Sequence, residues 1–361
     1  MIQADVCIIG GGPAGAAAAL TLARYTKHKV LLAEASDYAT PRVGETVSAG
    51  IVPLLSYLGA GSVLADEATL PAFGSAASWG SDQVIERDFI YTGRGQGLHL
   101  DRQRFDQALA GCLDAAGGTR RTGTRPDAIT RRDDGWTLRL DGPEGSELVS
   151  VRVIVDATGR PARVARRLGA ERRVTDHLVG LVCYLDLTDG PAVQTTLVET
   201  VPEGWWYTAP LPFGQAVAAL MTDADLLRGL GIDSTEAFLA RLLTTRHVSV
   251  RLVGARPRGE PRVFPAESHV LSQPCGPGWV AAGDAACAFD PLASLGIGYA
   301  LTSGIQAARI ADGWLRGEDS LALAYPADIA RHAATYAEQS REVYAAERRW
   351  ADAPFWRRRQ G

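Results

Sequence analysis

At the start of the chain the apolar positions fall into a strand, a break, a helix and a second strand. Asp5-Val-Cys-Ile-Ile9 is a short unbroken apolar run of the kind a buried strand needs. Gly10-Gly-Gly-Pro-Ala-Gly15 interrupts it, and an alanine-rich helical pattern follows to about Tyr25. Lys29-Val-Leu-Leu-Ala-Glu34 repeats the strand pattern and ends on a carboxylate. Two more buried strands lie far along the chain. Val151-Arg-Val-Ile-Val-Asp-Ala-Thr-Gly159 is one; Trp279-Val-Ala-Ala-Gly-Asp284 is the other, leading through Asp290-Pro-Leu-Ala-Ser-Leu-Gly296-Ile-Gly298 into a helix that ends near Trp314.

Between these segments the periodicity changes to two. Val179–Leu185, Thr195–Thr200 and Gln215–Met221 read as half-buried strands, with a short helix near Ser234–Thr244. In Gly204-Trp-Trp-Tyr-Thr-Ala-Pro-Leu-Pro212 an extended backbone puts Trp205, Tyr207 and Ala209 on one face and Trp206 and Thr208 on the other. From about Ala322 the chain is helical and rich in aromatics, with Tyr336, Tyr344, Trp350, Phe355 and Trp356 expected to pack on the body.

The glycine cluster follows a strand and opens a helix, the context that a dinucleotide-binding G-x-G-x-x-G requires. Gly10 permits the tight turn, Gly12 lets backbone approach a pyrophosphate, and Gly15 allows helix to pack on strand. Pro13 and Ala14 begin a helix whose N-terminal amides face the phosphates. Glu34, with Ala35 beside it, stands where an acid accepts hydrogen bonds from ribose hydroxyls. Ala157 and Gly159 close the middle strand. Gly283 and Asp284 end the late one, where an acid can hold ribityl hydroxyls. Pro291, Gly296 and Ile297 then open a helix toward a ring edge that becomes negative on reduction.

This order of motifs resembles the glutathione-reductase-type flavoproteins, and the late motif resembles the FAD-dependent monooxygenase and flavin-halogenase superfamily. The resemblance covers most of the chain and implies FAD. It also implies that Arg42, in Pro41-Arg-Val-Gly-Glu-Thr46, and Arg102, in Leu100-Asp-Arg-Gln-Arg-Phe-Asp106, reach the cofactor. The expected fold is α/β: a Rossmann-like FAD-binding domain (1–70, 98–172 and 268–320) interleaved with a mostly antiparallel-sheet substrate domain (71–97 and 173–267) and a helical C-terminal segment (321–361).

Composition narrows the chemistry. The 361 residues carry 46% hydrophobic and 22% charged residues, ordinary for a soluble enzyme, and a net charge of −4 gives no reason to expect nucleic acid. No apolar run reaches the roughly 20 residues that span a bilayer, so no membrane is expected. Five scattered cysteines without a CxxC pair suit a cytoplasmic protein, and no histidine spacing suggests a metal. The only lysines are Lys27 and Lys29. Flavin halogenases relay hypohalous acid through an essential lysine, and the corresponding stretch here, Phe73–Ser81, has none. Arginine presents no free amine in its place.

An FAD-dependent monooxygenase is therefore expected, in which a C4a-hydroperoxyflavin formed with O2 hydroxylates an aromatic ring, with NAD(P)H or another reductant binding transiently. Gly44-Glu-Thr-Val47, Ala285–Gly296 and the Tyr344–Arg358 ending resemble the LodB, GoxB and QhpG-like flavoproteins of tryptophylquinone cofactor maturation. That resemblance implies a tryptophan on a partner protein as substrate. A free or carrier-bound aromatic metabolite, a C=C reductase, a halogenase and a non-catalytic flavin-bound chaperone stand as alternatives. Trp79, Trp205 and Tyr207 are the candidate substrate-binding residues, and His99 is the candidate catalytic group.

Overall fold

The computed structural model describes residues 2–65, 67–89, 95–188 and 193–360; residues 90–94 and 189–192 of the expected substrate segments lie outside the described residues. The opening unit forms as β1 (Val6–Ile9), α1 (Pro13–Tyr25) and β2 (Val30–Ala33). Every residue of both strands is buried, because the sheet is covered on both faces, which is why each reads as an unbroken apolar run. Pro13 sits at the first helical position, where its missing N–H costs nothing.

The chain then visits β3 (Gly74–Ser78) and β4 (Ile85–Asp88), and returns through α2 (Arg102–Ala115) and β5 (Thr119–Arg121). An antiparallel meander, Arg125–Arg132, Gly135–Gly142 and Gly145–Val151, precedes β6 (Val153–Asp156) and the short α3 (Arg163–Arg167). A second excursion builds β7 (Leu178–Asp186), β8 (Thr195–Val201), β9 (Gly204–Leu211) and β10 (Gln215–Asp223). The chain comes back with β11 (Trp279–Ala281) and α4 (Gly296–Leu315), and finishes in α5 (Ser320–Ala346) and α6 (Pro354–Gln360).

One six-stranded sheet has the order Cys275–Gly276, β11, β6, β1, β2, β5, parallel throughout except at its short first edge. Strands far apart in sequence thus end side by side. Ala157 N–H donates to the Ile9 carbonyl and Ala282 N–H to the Asp156 carbonyl, each at 2.8 Å, so all three motif loops leave the same edge. That carboxyl edge is where open α/β sheets bind ligands.

The second sheet runs Arg256–Pro257, β7, β10, β9, β8, β3, β4, with Arg262–Pro265 also paired to β7. It is antiparallel except where β8 meets β3. The parallel join arises because β3 comes from a separate excursion of the chain. The expected short helix spans Thr235–Leu242, and its Ser234 cap accepts from the Ala237 N–H at 3.2 Å. One face of this sheet packs on that helix through Trp206, Phe238 and Leu242. The other meets the tail through Trp205, Tyr344, Phe355 and Trp356. Among the described residues no helix is long and apolar enough to cross a membrane.

Candidate active site

One continuous cavity of about 1900 Å³ runs from the carboxyl edge of the parallel sheet to the face of the second sheet. Pockets for one small ligand are roughly 300–1,000 Å³, so this one has room for a dinucleotide and a second molecule.

Its dinucleotide end rests on the glycine loop. Gly10 has φ +109°, and a Cβ there would lie 2.1 Å from the Ala157 carbonyl oxygen. Gly12 differs: a Cβ would meet only Arg42 Nη1, at 3.6 Å, so the space before it is open. Neither α1 nor α4 has a side-chain cap or an acidic residue in its first turn. Two helix N-termini therefore open on the cavity without an acidic cap of their own, one beside Gly12 and Pro13, the other at Gly296 and Ile297. The open glycine, the two donor ends and a carboxylate beside each fit FAD. Arms of that cofactor would lie along Glu34 and Asp284, and a bound flavin would supply the redox chemistry.

Glu34 has a second job. Its Oε2 accepts the Gly11 N–H at 2.5 Å and its Oε1 accepts Ser36 N–H at 2.9 Å and Arg42 Nη2 at 3.0 Å, so it also braces the loop. Arg42 and Arg102 both line the cavity, and both donate to the fully buried Asp106. Asp284 lines the cavity, with 37% of its side chain exposed. Burial pushes its carboxyl up, and Arg160, 3.5 Å away, works against that. Pro13, Ala14, Ala35, Ala157, Gly159 and Pro291 line the cavity as well. Gly15 and Gly283 do not; a Cβ on either would strike the Gly10 carbonyl or the Ala14 side chain, so they act by close packing.

At the other end Trp79, Trp205 and Tyr207 form the aromatic wall, with Val217, Ala219 and Met221 beside them. The alternation holds: Trp206 turns away and packs edge-on against Phe238, with ring centroids 5.2 Å apart. Tyr207 shares a 2.8 Å hydrogen bond with the Thr46 hydroxyl.

His99 is not against the cavity. Its ring is fully buried, and Nδ1 is 2.9 Å from Thr46 Oγ1. Burial pushes its pKa down to about 4, with the Gln194 carbonyl opposing and Arg251 assisting. His99 lies on the middle strand of a three-stranded layer and pairs with Thr46 on an outer strand, and of the two Thr46 lines the cavity. The carboxyl that does face this end is Glu45, 4% exposed and raised by burial. Tyr184 donates to its Oε1 at 2.8 Å and the Gly44 N–H to its Oε2 at 2.9 Å. An acid inside Gly44-Glu-Thr46 was the available signal; its partner in β7 carried none. Asp290 also lines the cavity, and burial pushes its pKa up to about 6 despite the Tyr344 hydroxyl. Lys27 and Lys29 are exposed and line no part of it.

Residues 3–340 match the family described as FAD binding domain. A protein of Marinomonas mediterranea named as an FAD-dependent oxidoreductase, LodB, is 32% identical over 361 residues, covering 98% of this chain and 96% of its own. Among solved structures, the myxobacterial chondrochloren halogenase CndH has a TM-score of 0.90 at 22% identity, over 100% of this chain and 86% of its own, a likeness of fold. The peptidyl tryptophan dihydroxylase QhpG, described as essential for tryptophylquinone cofactor biogenesis, has a TM-score of 0.76 at 28% identity, over 99% of this chain and 79% of its own. The chain thus belongs to the FAD binding domain family, in the superfamily of FAD-dependent monooxygenases and flavin halogenases, and to the same family as LodB.

Proposed function

We propose that the chain is an FAD-dependent monooxygenase that hydroxylates the indole ring of a tryptophan carried by a partner protein. The observation that carries this reading is the aromatic wall of Trp79, Trp205 and Tyr207 in the same cavity as the dinucleotide end, with no lysine on its lining. With a reductant such as NAD(P)H and O2, a bound flavin supplies an electrophilic oxygen; the protein's part is to hold an electron-rich ring beside it and keep water out. Indole-sized aromatic walls suit that task, since offset and edge contacts between rings are worth about 0.5–1.5 kcal/mol beyond burial. The proton lost from the hydroxylated carbon goes to a carboxylate rather than to His99, and Glu45, whose two oxygens accept from the Tyr184 hydroxyl and the Gly44 N–H, is the one beside Tyr207. The mouth adds support for a protein substrate: Ile85, Leu295 and Val343 line the cavity and are 60%, 46% and 42% exposed. Exposed apolar rims mark interaction sites more often than scattered single residues do. The reading is supported by LodB being named as an FAD-dependent oxidoreductase and QhpG as a peptidyl tryptophan dihydroxylase.

The test is mass spectrometry of tryptophan-bearing candidate partners after aerobic incubation with FAD and NAD(P)H. One or two added oxygens localised to a tryptophan is the expected result. Oxygen added only to a small aromatic would move the substrate to a free metabolite. Reduction that proceeds without O2 would overturn the monooxygenase reading altogether.

A further inference from the structure

Two long-range hydrogen bonds meet at one hydroxyl. Tyr344, in the last turn of α5 and 3% exposed, donates to Asp290 Oδ2 at 2.5 Å. The Tyr344 hydroxyl oxygen in turn accepts the Trp205 Nε1–H at 3.1 Å. Asp290 opens the turn before α4; its Oδ1 accepts the Leu292 N–H at 2.9 Å, and its own N–H donates to the Tyr336 hydroxyl at 3.0 Å. Tyr336 lies eight residues before Tyr344, on the same stripe of α5. The helix therefore grips the Asp290 loop at two points.

Trp205 and Asp290 both line the cavity, Trp205 from the wall strand and Asp290 from the loop that leads to Gly296 and Ile297. Tyr344 is itself held by α6. Gln360 donates to its carbonyl at 3.0 Å, and the Arg359 guanidinium, paired to Asp223 at 2.7 Å, lies 5.3 Å over its ring. Trp79 and Trp356 close around it with centroids 5.7 and 5.9 Å away.

We propose that Tyr344 is a positioning residue: it ties the Trp205 indole to the Asp290 loop, so that the substrate wall and the loop at the flavin ring edge move as one body. A hydroxyl that donates to a carboxylate becomes a better acceptor, so each bond strengthens the other. The arrangement also commits the indole N–H of Trp205 to Tyr344 and keeps it out of the cavity, which then receives only the ring's apolar surface. Removing the hydroxyl orphans two buried groups, the indole N–H and one Asp290 oxygen, and frees the wall from the loop. The inference needs a flavin at the ring-edge helix and no particular substrate.

The test is a double-mutant cycle on the FAD-loaded protein, read by FAD Kd and the visible spectrum of bound FAD. Y344F keeps the packed ring and removes only the hydroxyl. W205F removes the indole N–H. In the presence of Tyr344, W205F should weaken FAD by about two- to tenfold and shift the flavin spectrum. In the Y344F background W205F should move both much less, because the link is already cut. Equal effects of W205F in the two backgrounds would overturn the proposal, as would a Y344F spectrum and FAD Kd identical to wild type. Should Y344F fail to hold FAD, D290N takes its place: with its one amide oxygen kept on the Leu292 N–H, an NH2 group replaces the oxygen that accepts the Tyr344 hydroxyl, and the coupling should drop. Full wild-type coupling in D290N would likewise count against the tie. Failure here leaves the hydroxylase reading standing, since that reading is tested on product mass.

Discussion

Gly12→Ala separates a cofactor cradle from a packing contact. Gly12 has φ −71° and ψ −177°, an extended conformation that alanine adopts without strain. The added Cβ would touch only Arg42 Nη1, at 3.6 Å, which is ordinary contact. The apoprotein should therefore change in stability by no more than about 0.5 kcal/mol. The methyl group fills the space that a pyrophosphate needs in order to reach the backbone amides. Losing one charge-assisted hydrogen bond there costs about 1.5–3 kcal/mol, a rise in FAD Kd of about tenfold to a hundredfold. Gly10→Ala is the contrast: left-handed strain at φ +109° and a Cβ 2.1 Å from the Ala157 carbonyl should together cost roughly 2–6 kcal/mol of fold stability. Flavin fluorescence titration measures the first quantity and urea unfolding of the apoprotein the second. Wild-type FAD affinity in G12A would refute the cradle, and an apoprotein destabilised as much as G10A would show that Gly12 is held by packing.

The two neighbouring tryptophans should respond differently: Trp206→Ala removes a fully buried ring and should cost about 3–5 kcal/mol in urea unfolding, whereas W205F should leave stability within about 1.5 kcal/mol. Asp290 gives a pH signature. Its folded pKa, near 6 against an ordinary 3.8, means that the native state binds more protons between those values, so stability should fall as pH rises through that window and then level off. The groups facing it are Tyr344 and Tyr336 from α5, Arg359 from α6 and Asp176 before β7. D290N should flatten that stretch of the pH profile, and an unchanged profile would contradict the shift. Glu347 runs the other way. Burial alone would raise it, but Arg349, Thr200 and the Gly80 N–H hold it near 2, so its contribution is present above pH 4.5 and is lost as pH falls toward 2. Glu347→Gln should cost about 1–3 kcal/mol at pH 7 and make the α5–α6 segment cleavable in limited proteolysis. With FAD, reductant, O2 and bromide supplied, no brominated aromatic should form, and a brominated product would refute the argument from the missing lysine.

Local patterns announced the parts of the site that short segments can build. The glycine loop, its strand and its helix are contiguous, and burial on both faces leaves an unbroken apolar signature. Period two was enough to separate Trp205 and Tyr207 from Trp206. His99 was a candidate for the proton exchange a histidine can perform, and the fold pairs it with Thr46, which lines the cavity where His99 does not. What no segment could announce was the meeting of distant chain. Trp205 and Tyr344 are 139 residues apart, and Tyr344 and Asp290 are 54 apart. Each alone is an unremarkable aromatic or a turn acid, and only the docking of α5 on the cavity gives them a common purpose.

The wall strand also has a built-in frame marker. Gly204 has φ +150°, and any side chain on it would lie 1.9 Å from the Met221 carbonyl, so this residue fixes how β9 registers on β10. Because side chains alternate, inserting one residue after Gly204 would exchange the faces of the two indoles, sending Trp206 to the cavity and Trp205 to the far core. Ordinary substitution would need several coordinated steps to rebuild such a wall. A single-codon insertion does it in one, which makes this turn a place where descendants of the chain could change the ring they recognise while leaving the cofactor end untouched.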